Sequence, residues 1–193
     1  MASFSIHLAV ANKYLENFEV EDKMAFFRGV IAPDLTNKKS ISHFTENQSK
    51  DNAFTYFATK VNLVKYLNAS YDESSFQEGY FLHLVTDYLF FNKYFEKDYL
   101  ENYNTEKFLS DIYNSYDEVN SYVEKKYSVN YYDFYDEISY NINSKKKFIN
   151  EDDKIKTNLL PEDKIDEFIN YVSKIDLKNY RLKLLENGKN IFP

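Results

Sequence analysis

Apolar residues recur along this chain at spacings of three and four, so its pattern predicts helices. The first begins after Ser3 or Ser5 and runs to about Asn17, with Ile6, Ala9 and Val10 turned inward. A second covers Glu21 to about Ala32, where Pro33 disfavours α geometry in the residue before it. Residues 33–50 read as a loop of Asp, Asn, Lys and Ser, with the triplet SHF at Ser42–Phe44 inside it. Asp51 suits the N-cap of a helix to about Asn68, because Phe54, Phe57, Ala58, Val61 and Val64 keep helical spacing while Lys and Asn fill much of the other face. Ser74 or Ser75 opens a central helix that extends as far as Tyr99, and Thr105 opens another, to about Tyr127. Pro161 suits the first turn of a last helix, Glu162 to Ile175, which buries Ile165, Phe168, Ile169 and Val172. Between these two helices, YYDFYDEISYNI is aromatic enough for either a strand or a helix, and KKKFINEDDK reads as a solvated charge run.

Composition supports this picture. Three Gly and three Pro are too few for a turn-rich sandwich or barrel, which leaves an all-α, single-domain, multi-helix bundle over residues 1–193. With 19 Tyr and 17 Phe but no Trp, its core is expected to be built from rings. A chain of this length buries such a core without staples, and none is available, because cysteine is absent. That absence also removes thiolate ligands and cysteine nucleophiles. No apolar run approaches the roughly 18 residues of a membrane span; the longest patch, Tyr80 to Phe91, is interrupted by His83 and Asp87. The segment MASFSIHLAVANKYLENF lacks the basic and apolar regions of a signal peptide, so a cytoplasmic location is expected.

A net charge of -7 argues against broad attraction to nucleic acid, and no stable nucleic-acid complex is expected. The run Lys145–Lys147 reads as a solvated face able to touch a phosphate, while Tyr131, Tyr132, Phe134 and Tyr135 suit either core packing or stacking on bases. Glycine-rich phosphate loops and the GxSxG nucleophile element are missing.

Histidine is scarce and therefore informative: His7, His43 and His83 are the whole supply. In GYFLHLVTD (Gly79–Asp87), His83 and Asp87 are four apart and share one helix face beneath Tyr80 and Phe90. An imidazole and a carboxylate so placed can bind one divalent cation, and they can equally be a core histidine with its proton held by Asp87. Asp34 follows Pro33 on a loop, with His43 nine residues further on. Together Asp34, His43, His83 and Asp87 make a shell of two nitrogens and two oxygens suited to Zn, Mn or Fe. A second ion could use His7 with Asp87 bridging, or His7 could be a satisfied buried histidine.

The ordered elements IHLAVA (Ile6–Ala11), FFRGVIAPD (Phe26–Asp34), SHF and GYFLHLVTD resemble the bacterial zinc-dependent phospholipase C-like family, within residues 1–95. That family is α-helical and related in fold to the single-strand nucleases that hold three zinc ions. The resemblance implies that Asp34, His43, His83 and Asp87 hold one metal and that Asp87 bridges to a second on His7. It also implies a third zinc on two later histidines and a glutamate. No histidine follows His83, so that site as known is absent, with Asp111, Asp117 and Glu118 as the carboxylates available to replace it.

The function this leads to is metal-dependent phosphoester hydrolysis through an activated water, with one or two zinc ions (or Mn or Fe) as cofactor and Asp34 as the catalytic carboxylate. A small phosphorylated or lipid substrate is the expected partner. The alternative is a metal-stabilised helical scaffold of the same fold without catalysis.

Overall fold

A computed structural model describes residues 2–45, 51–69, 71–130 and 159–193. Among them the chain is all-helical, with no strand. Ten helices are described: α1 Phe4–Tyr14, α2 Lys23–Ile31, α3 Lys39–Ser42, α4 Ala53–Phe57, α5 Leu63–Ala69, α6 Ser75–Leu89, α7 Lys97–Glu101, α8 Thr105–Lys126, α9 Glu162–Val172 and α10 Leu177–Asn187. No described helix is long and apolar enough to cross a membrane. The segments YYDFYDEISYNI and Lys145–Lys147 lie outside the described residues.

Helix starts follow local capping chemistry. Ser3 accepts from the Ile6 amide, Ser74 from Gln77, and Asn104 from Glu106 and Lys107. α4 takes Asn52 as its N-cap, one residue after the expected Asp51, because Asn52 and Thr55 form a reciprocal capping box.

Two expected long helices are broken, and in each case side chains have taken the backbone. The Asp51–Asn68 segment divides into α4 and α5. Thr45 donates to the Lys60 carbonyl, Asn190 to the Val61 carbonyl, and the Asn62 amide turns to His43. The central helix ends at Leu89 and opens into a wide π turn over Phe90–Tyr94. There Asn92 Nδ2 donates to the Tyr88 carbonyl at 2.8 Å and across to Ala58 at 3.0 Å, inserting a side chain into the ladder. The last expected helix stops at Val172, and α10 follows it, capped at its start by Asp176 and at its end by Gly188 at φ +64.

α2 and α6 form the frame of the molecule. A Cβ on Gly29 would stand 2.0 Å from the Phe76 carbonyl oxygen, and one on Gly79 would stand 2.0 Å from that of Phe26. Only two glycines allow this approach. α1 packs against both helices and is tied to α8 by Ser3 on Asn120 and Ser5 on Glu124. α8 is tied to α9 by Tyr122, Tyr127 and Lys126, which all converge on Asp166.

Of the expected core of rings, one part packs along α6 itself, where Tyr66 stacks on Tyr80 and Phe81, and the larger part lies beyond its C-terminal end. Phe57 stacks on Phe91 at 4.9 Å, Phe90 meets Phe168 edge-on at 5.4 Å, and Phe95 meets Phe108 at 5.3 Å.

Candidate metal centre

The close crossing of α2 and α6 has a chemical consequence. It brings His83 Nδ1 to 2.7 Å from the carbonyl oxygen of Val30. One turn on, a 3₁₀ turn over Ala32–Asp34 carries Asp34 inward, with Pro33 inside the turn. The expected end of α2 near Pro33 is therefore present, and its function is to aim a carboxylate.

His43 follows the single turn α3. Ser42 Oγ donates to the Pro33 carbonyl at 2.7 Å, and the Tyr80 hydroxyl donates to the Ser42 carbonyl at 2.7 Å, so SHF is held from two sides. Phe44, with φ 55, turns the chain away immediately afterwards. His7 comes from α1, and its ring lies flat against that of His83 at 3.7 Å.

All five residues anticipated from the sequence are thus gathered, each 0–1% exposed. His43 Nε2 is 3.2 Å from His83 Nε2 and 3.2 Å from Asp87 Oδ2; His83 Nε2 is 3.6 Å from the same oxygen. Asp34 Oδ1 lies 3.8 Å from His43 Nε2. On the other side of Asp87, Oδ1 is 3.3 Å from His7 Nε2. Each Asp87 oxygen therefore faces a different histidine group.

The protons follow from the partners. A carbonyl oxygen only accepts, so the Nδ1 atoms bonded to Val30 (from His83) and Lys39 (from His43, 2.9 Å) carry hydrogen. With Nδ1 carrying the hydrogen, a neutral ring at either position presents an Nε2 lone pair toward the other ring and toward a carboxylate. Burial, followed by the neighbouring His7, pushes the His83 pKa below its ordinary value, which keeps that ring neutral. Burial alone would raise the Asp87 carboxyl, but nearby positive charge holds it well below the usual carboxylate range. Neither ring nitrogen of His7 makes a hydrogen bond, although the ring is buried. Such a convergence of acceptors is costly without a cation between them. A proton answers one of these contacts; a divalent ion answers several. Nδ1 donors fixed on backbone carbonyls are also the outer arrangement that orients metal-binding histidines.

Two groups of donors lie within reach of a common ion: His7, His83 and Asp87, and Asp34, His43 and His83. His83 Nε2 has one lone pair, so it can serve only one ion at a time. Asp117 and Glu118 face solvent, and Asp111 receives the Tyr103 hydroxyl. None of these three joins a donor group among the described residues.

Sequence reasoning missed three neighbours. The Ala2 amide donates to Asp87 Oδ1 at 2.7 Å. Lys39 Nζ pairs with Asp34 Oδ1 at 2.7 Å, and half-buried Lys60 lies within the field of Asp87 and Asp34. Lys39, one turn before His43 in the sequence, was the one legible neighbour, because residues at i and i+4 share a face.

Fold and site together define a class: an all-helical protein with a buried cluster of three histidines and two aspartates whose donor atoms lie close enough to hold a divalent ion. Comparison with protein-family models, with curated proteins and with solved structures finds no match.

Proposed function

We propose that this protein binds divalent metal at His7, Asp34, His43, His83 and Asp87 and hydrolyses a phosphoester there. The observation that carries the reading is the convergence of two imidazole Nε2 atoms, 3.2 Å apart, on Asp87 Oδ2 with both Nδ1 atoms committed to carbonyls. Asp34, His43, His83 and Asp87 would hold one ion; His7 and the far oxygen of Asp87 would serve a second. An ion so held supplies an activated water and neutralises charge on phosphoryl oxygens. Asp34, whose Oδ1 is steered by Lys39, is the carboxylate placed to orient that water and accept its proton. The resemblance of residues 1–95 to the zinc-dependent phospholipase C-like family supports the finer fold type and zinc as the metal.

One observation favours a second reading. All five donors are buried, which suits an ion that stabilises a scaffold as well as one that meets a substrate.

The test is metal content of the purified chain after growth with zinc, manganese or iron, before and after chelation, combined with turnover of chromogenic phosphomonoesters and phosphodiesters. Bound metal with turnover that His83→Ala abolishes is the expected result. Bound metal without turnover selects the scaffold, and a chain that takes up no metal overturns both readings.

A further inference from the structure

α3 is a single turn of four residues with no side-chain cap, too short to hold its shape by its own hydrogen bonds. His43 follows it directly, so its place among the donors has to be fixed from outside. The residue before it does this. Ser42 Oγ has one hydrogen and gives it to the Pro33 carbonyl at 2.7 Å, which ties α3 to the turn that carries Asp34. The same oxygen lies 3.0 Å from His43 Nδ1, where it takes a share of the hydrogen directed at the Lys39 carbonyl. The Ser42 carbonyl accepts in turn from the Tyr80 hydroxyl at 2.7 Å. Tyr80 stands one turn before His83 on the same face of α6. Ser42 therefore joins the three segments that bring Asp34, His43 and His83 to the centre.

Tyr80 is itself braced. Its ring stacks on that of Tyr66 with centroids 5.1 Å apart, and the Tyr66 hydroxyl donates to Gln77. Phe44, on the far side of His43, meets the same Tyr66 ring edge-on at 5.3 Å. Its φ of 55 is a left-handed conformation that a residue with a Cβ adopts at a cost. Such a residue persists where its surroundings over-determine it, and strain of this kind clusters at functional sites. Both chain neighbours of His43 are thus set against one ring.

We propose that Ser42 and Tyr80 are positioning residues of the metal centre, setting the separation of His43 from His83 and, through Pro33, the approach of Asp34. The inference rests on the metal-centre reading above and adds to it the residues that fix the ligand geometry. Both act through their neighbours rather than as ligands. Donors held in place before binding lose little freedom when an ion arrives, so these two hydroxyls govern affinity. They also govern coordination geometry, which is what separates one divalent metal from another.

The experiment measures zinc affinity of the full-length chain by competition with a chromogenic chelator, and records the visible spectrum of the cobalt(II)-loaded protein, whose bands follow coordination geometry. Ser42→Ala is expected to weaken zinc about ten- to hundredfold and Tyr80→Phe about tenfold, the range usual when an outer partner of a metal-binding histidine is lost. Both shift the cobalt bands. Ser42→Thr, which keeps the hydroxyl, restores most of the affinity. Tyr122→Phe deletes a hydroxyl hydrogen bond from the α8–α9 tie and should leave affinity and spectrum as in wild type, which separates positioning from a general loss of stability. Tyr80→Phe carries the test should Ser42→Ala not fold. Wild-type affinity and spectrum in both Ser42→Ala and Tyr80→Phe overturn this inference and leave the metal centre standing. An equal loss in Tyr122→Phe overturns it as well. A chain that takes up neither zinc nor cobalt overturns the metal reading first and this inference with it.

Discussion

Two buried regions meet along α6 and are completed in different ways. Up to Asp87 the helix faces His7, His43 and Asp34, a polar cluster whose acceptors converge with too few donors. From Phe90 onward the chain enters Phe57, Phe91, Phe95, Phe108 and Phe168, where rings meet edge-on or stacked with centroids 4.9–6.5 Å apart. The ring cluster is closed by its own side chains. The polar cluster reaches the same burial with imidazoles and carboxylates turned toward one another. Apolar contact is non-directional, so such a core needs volume and shape; a buried polar group needs a partner on each open valence.

The largest effect is expected where both regions depend on one helix position. Gly79→Ala would place a methyl group 2.0 Å from the Phe26 carbonyl, a contact that only displacement of α2 from α6 can relieve. Overpacking costs about 1–3 kcal/mol where neighbours can yield, and more is expected where the neighbour is backbone. The urea midpoint should fall by the equivalent of about 3 kcal/mol or more, and metal binding should go with it as Val30 leaves His83. A Gly79→Ala protein of wild-type stability would mean the two helices stand further apart.

A paired measurement then separates the regions. Phe91→Ala should cost about 3–5 kcal/mol, and by the same amount with zinc or with chelator. Zinc at a hundredfold excess over its Kd should stabilise the wild type by about 2.7 kcal/mol and leave His83→Ala unmoved. Equal responses to zinc in wild type and His83→Ala, read from urea denaturation, would place the ion elsewhere.

The two regions were also unequally legible in the sequence. Helix starts could be read where one residue caps them, as at Ser3 and Ser74, or where a proline marks the entry, as at Pro161. The start of α10 was equally local: Asp176 accepts from the Asn179 amide, but Leu177, Tyr180 and Leu184 are diluted by lysines and no helix was assigned. The breaks after Phe57 and Leu89 were invisible, because apolar spacing runs straight through them and the cause lies in distant side chains such as Asn190 and Thr45. In the site, His83 and Asp87 were readable from an i,i+4 spacing. His7, Asp34 and His43 could be named as donors able to complete the shell, but no spacing along the chain shows that they meet it. Which ring nitrogen faces inward depends on Val30 and Lys39 carbonyls, and no residue pattern encodes that. Lys60 looked like any exposed lysine, since its environment is made by Tyr56, Phe57 and two carboxylates remote in sequence.

The smallest predicted effect concerns protons, and it tests whether His83 behaves as a neutral acceptor inside the polar cluster. His83 in the unfolded chain takes a proton near its ordinary value of 6.5, whereas burial and His7 delay protonation in the folded chain. Below that pH the unfolded state binds the extra proton, so stability is complete above about 6.5 and is lost as pH falls toward the lowered folded value. The slope from this one group is at most about 1.4 kcal/mol per pH unit. Asp87 acts with the same sign but in a separate window, below the usual carboxylate value of 3.8. Chelated protein should therefore show a falling melting temperature from pH 7 to pH 5 that His83→Gln flattens and Phe91→Ala does not. With zinc bound the fall should steepen, because protons then also displace a ligand. An unchanged pH slope in His83→Gln would mean that the ring is not held neutral by its burial, and the convergence of lone pairs argued for the centre would lose its basis.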